Sequence, residues 1–146
     1  MPKKKSNFIA INASEQGRLI FVLVQGEIIQ QQIFSVHKLD EVLLSCLDRL
    51  MRKYKVRWSE ISSLGVVNRG GSFASLRLAL ACINTLAWVN QIPIIALTAE
   101  QFAGLTVGKL LTIPNKQRKK FKAVLPAYDR PPLITLSKKK PHFIKV

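Results

Sequence analysis

Val66-Val67-Asn68-Arg69-Gly70-Gly71-Ser72-Phe73-Ala74-Ser75-Leu76-Arg77 is the stretch on which the reading of this chain turns. Residues 62–68 (SSLGVVN) have the β-branched, apolar character of a short buried strand. Arg69-Gly70-Gly71-Ser72 then forms a glycine turn, and Ser72 stands where a helix needs an N-cap. The helix predicted over 73–90 is unusual. Phe73, Leu76, Leu78, Leu80, Ile83, Leu86, Trp88 and Val89 point almost all the way round it. A helix apolar on every side must be covered on every side. The sheet of so small a body covers one side. Another helix, the C-terminal tail or another protein must meet the rest.

Working upstream, residues 7–12 (NFIAIN) read as a short strand, and 18–25 (RLIFVLVQ) as a strand buried on both faces. Gly26 punctuates, and 27–34 (EIIQQQIF) reads as a third strand. The spacing predicts an antiparallel meander. Next, Leu39, Val42, Leu43, Cys46, Leu47, Leu50, Met51 and Tyr54 recur at three and four residues, which predicts a helix over 39–54. Asp40 and Glu41 open it, and Arg52, Lys53 and Lys55 close it, as the helix dipole favours. Leu44 lies off its main stripe and has no obvious core position. Downstream, 93–97 (PIIAL) is a fifth strand, and Thr98 caps a short helix that fades near Gly104 or Gly108.

The order β-β-β-α-β-α-β-α predicts an α/β fold with one mixed five-stranded sheet and helices on its faces. It resembles the ribonuclease-H-like half of the actin and sugar-kinase superfamily. The expected organisation is a basic N-terminal tail over 1–6, a folded domain over 7–105 and a basic, proline-containing extension over 106–146.

The chain's 146 residues amount to one domain, with hydrophobic residues at 48% and charged ones at 21%, a mix that excludes wholesale disorder. The formal charge of +15 sits at the ends: residues 6–105 hold nine basic and seven acidic side chains, while 106–146 hold eleven basic and one acidic. The charge therefore speaks about the tails rather than the fold. Cys46 and Cys82 have no metal-ligand spacing and are too few for a disulfide framework. Lys3-Lys4-Lys5 is followed by no long apolar stretch, so no secretory signal is read. The 22-residue uncharged run 78–99 is long enough to span a bilayer, but Asn84, Asn90, Gln91 and Pro93 interrupt it. A buried helix, a turn and a buried strand is the preferred reading. A cytoplasmic location with reduced thiols is expected.

The stretch 66–77 resembles the GPGSFTGLR signature of the TsaB family, the non-catalytic partner in bacterial tRNA threonylcarbamoyladenosine (t6A) biosynthesis. Gly71, Ser72, Phe73, Leu76 and Arg77 match. Arg69-Gly70 replaces the signature's Gly-Pro, and Ala74-Ser75 its Thr-Gly. Ile11-Asn12-Ala13-Ser14 stands where that family has Ile-Asp-Thr-Ser. Residues 92–97 (IPIIAL) stand at its GIPVVGVS, and His37 with the following leucine-rich helix at its HS-x-x-LLP. The resemblance covers about residues 7–105. Full-length members continue into a second, degenerate domain. Only 41 residues remain here, which implies an internal deletion of most of that domain; Tyr128-Asp129-Arg130-Pro131-Pro132 resembles the family's C-terminal Tyr-x-Arg-x-Pro.

The resemblance implies a scaffold that binds a TsaD-type catalytic subunit through its helices, with TsaE docking on that pair and self-association on the same surface when the partner is absent. Candidate partner-binding residues are Leu43, Leu44, Leu47, Phe73, Leu76, Leu80 and Ile83; which of them face inward is open.

Catalytic residues, cofactor and metal are not expected. Where the superfamily's ATPases carry an acid that holds a metal–phosphate group, this chain has Asn12, which cannot supply that charge. The turn 69–72 could bind an anion through its N–H groups, but no Walker lysine follows, and a plain strand-to-helix turn is the favoured reading. His37 and His142 lack companions at a telling spacing. Arg77 either meets a carboxylate or snorkels to solvent. Lys116, Arg118, Lys119, Lys120, Lys122, Lys138, Lys139 and Lys140 could contact tRNA phosphates; a solvated tail is the competing reading. The alternative function is a small basic RNA- or ribosome-associated protein on the same fold.

Overall fold

The structure, a computed structural model, describes residues 7–105 and 122–127. Five strands form one sheet: β1 (Asn7–Asn12), β2 (Arg18–Gln25), β3 (Ile28–Ser35), β4 (Ile61–Val67) and β5 (Ile94–Leu97). Their order across the sheet is β3-β2-β1-β4-β5. β1 and β2, and β2 and β3, pair antiparallel as the meander requires; β4 lies parallel to β1, and β5 parallel to β4. The helices are α1 (Leu39–Lys53), α2 (Phe73–Val89) and α3 (Ala99–Leu105), and Trp58–Glu60 make a 3-10 turn before β4. The expected order of elements is realised, with bounds within a residue or two.

The sheet separates two cores. Successive strand residues point to opposite faces, so β1 sends Ile9 and Ile11 one way and Phe8 and Ala10 the other. Ile9 and Ile11, with Leu19, Phe21 and Leu23 of β2, pack against Leu43, Leu47 and Leu50 of α1 and Leu76, Leu80 and Ile83 of α2. On the opposite face, Phe8, Ala10, Val22, Val67, Ile95 and Leu97 meet Phe102 and Leu105 of α3. β1 is buried at all six positions and β2 at six of eight, because both strands are covered on both faces.

Local chemistry sets the helix ends. Ser72 accepts a hydrogen bond from the Ser75 amide at 3.1 Å and caps α2. Thr98 and Gln101 form a reciprocal box at α3: Thr98 Oγ1 accepts from the Gln101 amide at 3.0 Å, and Gln101 Oε1 accepts from the Thr98 amide at 2.9 Å. α2 ends where Asn90 Nδ2 donates to the Leu86 carbonyl at 2.8 Å, and the chain then turns at Gln91.

Residues 122–127 lie extended against α2 and the end of β4. Val124 is buried in the helix-side core. Asn68 Nδ2 donates to the Leu125 carbonyl at 2.9 Å, and the Ala127 amide donates to the Asn68 carbonyl at 2.8 Å. This part of the C-terminal extension therefore packs on the folded domain. Among the described residues no helix is long and apolar enough to cross a membrane. The run 78–99 is divided among α2, a turn, β5 and the start of α3.

Candidate functional site

The all-round apolarity of α2 resolves into two covered sides and one open one. Leu76, Ala79, Leu80, Ile83 and Ala87 face the sheet and α1. Asn84 turns to the 122–127 strap. Ala74, Arg77, Ala81, Thr85, Trp88 and Val89 remain on the outside. Arg77 is the one charged residue among the 17 of α2, and Trp88 is 66% exposed. On α1, Leu44 is 54% exposed between Glu41 and Asp48. Both helices pack on one face of the sheet and touch each other, so they present one surface to solvent.

Five of the seven expected partner-binding residues are corrected by this arrangement. Leu43, Leu47, Leu76, Leu80 and Ile83 are all core residues; Ile83 has no exposed surface. Their side chains are committed to the chain's own sheet. They sit on the stripe nearest the strands, where burial removes the most apolar area. Leu44 alone of the described candidates faces outward, as its off-stripe position suggested. The side chain of Phe73 lies outside the described residues. Sequence reasoning missed Ala81 and Thr85 on the outer face. Residue size gives no signal for them, because Ala79 and Ala87 lie on the inner stripe.

A second region lies where β1 and β4 end. A cleft of about 380 Å³ is bordered by Ser14, Arg18, His37, Gly71, Ser72 and Ser75. Asn12, 5% exposed, holds the Ser14 turn at its border: its Oδ1 accepts from the Ser14 amide at 2.9 Å and from the Ser14 hydroxyl. That is a side chain closing its own turn. Arg18 and Glu15 at the rim pair with each other at 3.1 Å. Gly71, at φ +74°, passes so close to this turn that a Cβ would stand 2.8 Å from the Ser14 carbonyl oxygen. The glycine pair thus has a structural task, letting two loops touch. Among the described residues, no group of three or more His, Cys, Asp or Glu is placed to hold a metal.

The remaining candidates are dispersed. His37 is an exposed rim residue of the cleft. Cys46 is buried on α1 and Cys82 half-buried on α2. Burial pushes both thiols up; at Cys46 the Arg49 charge opposes this in part. Raised thiols are poor nucleophiles at neutral pH. Of the basic residues expected to meet RNA, Lys122 is exposed at the start of the strap. Lys116, Arg118, Lys119, Lys120, Lys138, Lys139 and Lys140 lie outside the described residues.

The family model for TsaD, tRNA N6-adenosine threonylcarbamoyltransferase, matches residues 27–108, more than half of the chain. The chain belongs to the TsaD family. Solved structures of the YeaZ type share its fold. YeaZ from Pseudomonas aeruginosa superposes with a TM-score of 0.61 at 20% identity, covering 70% of this chain and 50% of that one. A second structure, described as an uncharacterized protein with similarity to peptidase YEAZ from Pseudomonas aeruginosa, gives 0.59 at 19%, covering 64% and 43%. At these identities the likeness is one of fold. The chain spans half or less of the length of the two structures. No curated protein matches it. The TsaD-family match runs from the Gly26 turn through α3, so it includes the whole of α1 and α2.

Proposed function

We propose that this TsaD-family chain is a non-catalytic scaffold that binds a TsaD-type catalytic subunit in t6A modification of tRNA. The observation that carries the reading is the outer face of α1 and α2, where Leu44, Ala81, Trp88 and Val89 lie open to solvent. Small residues let a facing helix approach closely, and an exposed tryptophan is a common anchor of an interface. The role of Asn12 in closing its own turn supports the non-catalytic part. An amide engaged with Ser14 brings no negative charge to a metal–phosphate group. TsaE is a further partner in this reading, and the site of action is the cytoplasm.

The test is co-purification with the TsaD-type subunit of the same organism. A one-to-one complex supports the scaffold; its absence at tens of micromolar, with both proteins folded, removes it.

An RNA-associated role is the second reading. It is favoured by exposed Arg49, Arg52, Lys53, Lys55 and Arg57 clustered at the end of α1, beside a basic C-terminal sequence. It predicts tRNA binding without any protein partner, weakening steeply with salt in proportion to the phosphates neutralised.

A further inference from the structure

Among the described residues β3 is an edge strand, and its own sequence carries none of the features that usually protect an edge. It bonds to β2 through eight successive residue pairs, from Arg18 opposite Ser35 to Gln25 opposite Ile28, with no register shift. On its other side no strand pairs with it among the described residues. Natural edges are blunted by lysine, proline, bulges or short length. Ile28–Ser35 is eight residues long, has no charge, no proline and no bulge, and leaves Ile28 61% and Ile33 44% exposed.

The sequence of the strand is also symmetric. Ile29-Gln30-Gln31-Gln32-Ile33 reads the same in both directions, and Ile28 and Phe34 extend the symmetry with apolar residues. Gln31 is its centre. If two such strands run antiparallel about Gln31, Gln31 meets the partner's Gln31, Ile29 meets the partner's Ile33, and Ile28 meets the partner's Phe34. Directly opposed residues share a face, so like meets like on both sides of the sheet. A shift of two residues in either direction sets isoleucine against glutamine. The pattern therefore specifies one register as well as one partner.

We propose that a second copy of this chain adds its β3 antiparallel to β3, centred on Gln31, to give a continuous ten-stranded sheet across a two-fold axis. Such an interface is self-complementary by symmetry, and its affinity comes from main-chain hydrogen bonds with side-chain pairs setting the register. It uses the sheet edge, so the outer face of α1 and α2 stays open, and the inference does not depend on the scaffold reading. One feature opposes it. Lys53 donates to Gln32 Oε1 at 3.0 Å on the helix side. In the pairing, Gln32 and the partner's Gln32 lie on the order of 8 Å apart, from strand spacing and rise. Two ammonium groups then approach across the axis. Screening by salt strengthens the dimer, the reverse of an assembly bridged by nucleic acid.

The experiment is sedimentation equilibrium of the full chain after nuclease treatment, at 0.15 M and 0.5 M salt. A dimer at tens of micromolar, retained or tighter at high salt, is expected. Gln31→Lys sets like charges face to face at an exposed position; it weakens the dimer at least tenfold while thermal unfolding of the monomer stays unchanged. Gln31→Cys gives a dimer joined by a short bismaleimide, and Ser59→Cys, far along the chain on the 3-10 turn, does not. A monomer throughout, including one whose β3 amides are protected by its own C-terminal residues, overturns the proposal. So does a dimer lost with nuclease or salt, or one that ignores Gln31→Lys.

Discussion

Asn84 holds Val124 by both ends of its amide. Its Nδ2 donates to the Val124 carbonyl at 2.9 Å, and its Oδ1 accepts from the Val124 amide at 2.8 Å. The side chain imitates a neighbouring strand, and it does so from the middle of a helix. It anchors residues 122–127 along the flank of α2 and lets Val124 reach the core. Without the strap that flank would be a second open side of an apolar helix.

The pair predicts a local effect. Asn84→Ala leaves the Val124 amide and carbonyl without protein partners and costs about 1–3 kcal/mol if they stay buried. The strap then detaches more often, and trypsin cuts after Lys122 faster than in the parent chain. Equal cleavage rates and equal stability would show that the strap contributes nothing.

Gly71 and Gly26 separate crowding from backbone preference. Both have positive φ, +74° and +62°. An added Cβ at Gly71 meets the Ser14 backbone, and at Gly26 it meets nothing within 4 Å. Gly26→Ala therefore costs only the left-handed backbone, about 1–2 kcal/mol. Gly71→Ala adds a clash with main-chain atoms that cannot swing away, so it costs at least about 2 kcal/mol and shifts the 14–18 turn. Chemical denaturation of the two variants side by side checks this; equal losses would mean that the loops do not touch.

The thiols give a pH dependence. Burial raises Cys46 and Cys82 in the folded chain. Above the ordinary thiol pKa of about 8.5 the unfolded chain loses these protons first. The folded state then binds more protons than the unfolded one, and stability falls as pH rises toward the raised folded values. Denaturant unfolding between pH 7 and 10 tests this. A Cys46→Ala/Cys82→Ala variant loses less stability over that interval than the parent; parallel curves would contradict the assignment.

The elements were legible in the sequence because periodicity and punctuation agreed. The β2 run, the Gly70-Gly71-Ser72 turn and the Thr98 cap each had one sensible reading, and each is realised. The orientation of α2 was not legible. With apolar residues at nearly every position, hydrophobicity no longer distinguishes inside from outside. Size does not decide either: Ala79 and Ala87 lie buried, while Trp88 and Val89 remain exposed. On α1, by contrast, the stripe separates Leu44 from Leu43 and Leu47: the two on it are buried, and Leu44 is exposed. Asn84 was visible as a break in an apolar run, and a half-buried amide on such a helix calls for a partner. The missing information was that the partner comes from 40 residues later.

The central claim is that the outer face of α1 and α2 receives a TsaD-type subunit. Light scattering of the two proteins, alone and mixed, tests it most directly. The account predicts a one-to-one complex that Leu44→Glu and Trp88→Glu each weaken at least tenfold, with both variants as stable alone as the parent. Ile83→Glu is no test of the interface, because a carboxylate there is buried against the sheet and unfolds the chain. No complex, or a complex indifferent to Leu44→Glu and Trp88→Glu, would contradict the claim.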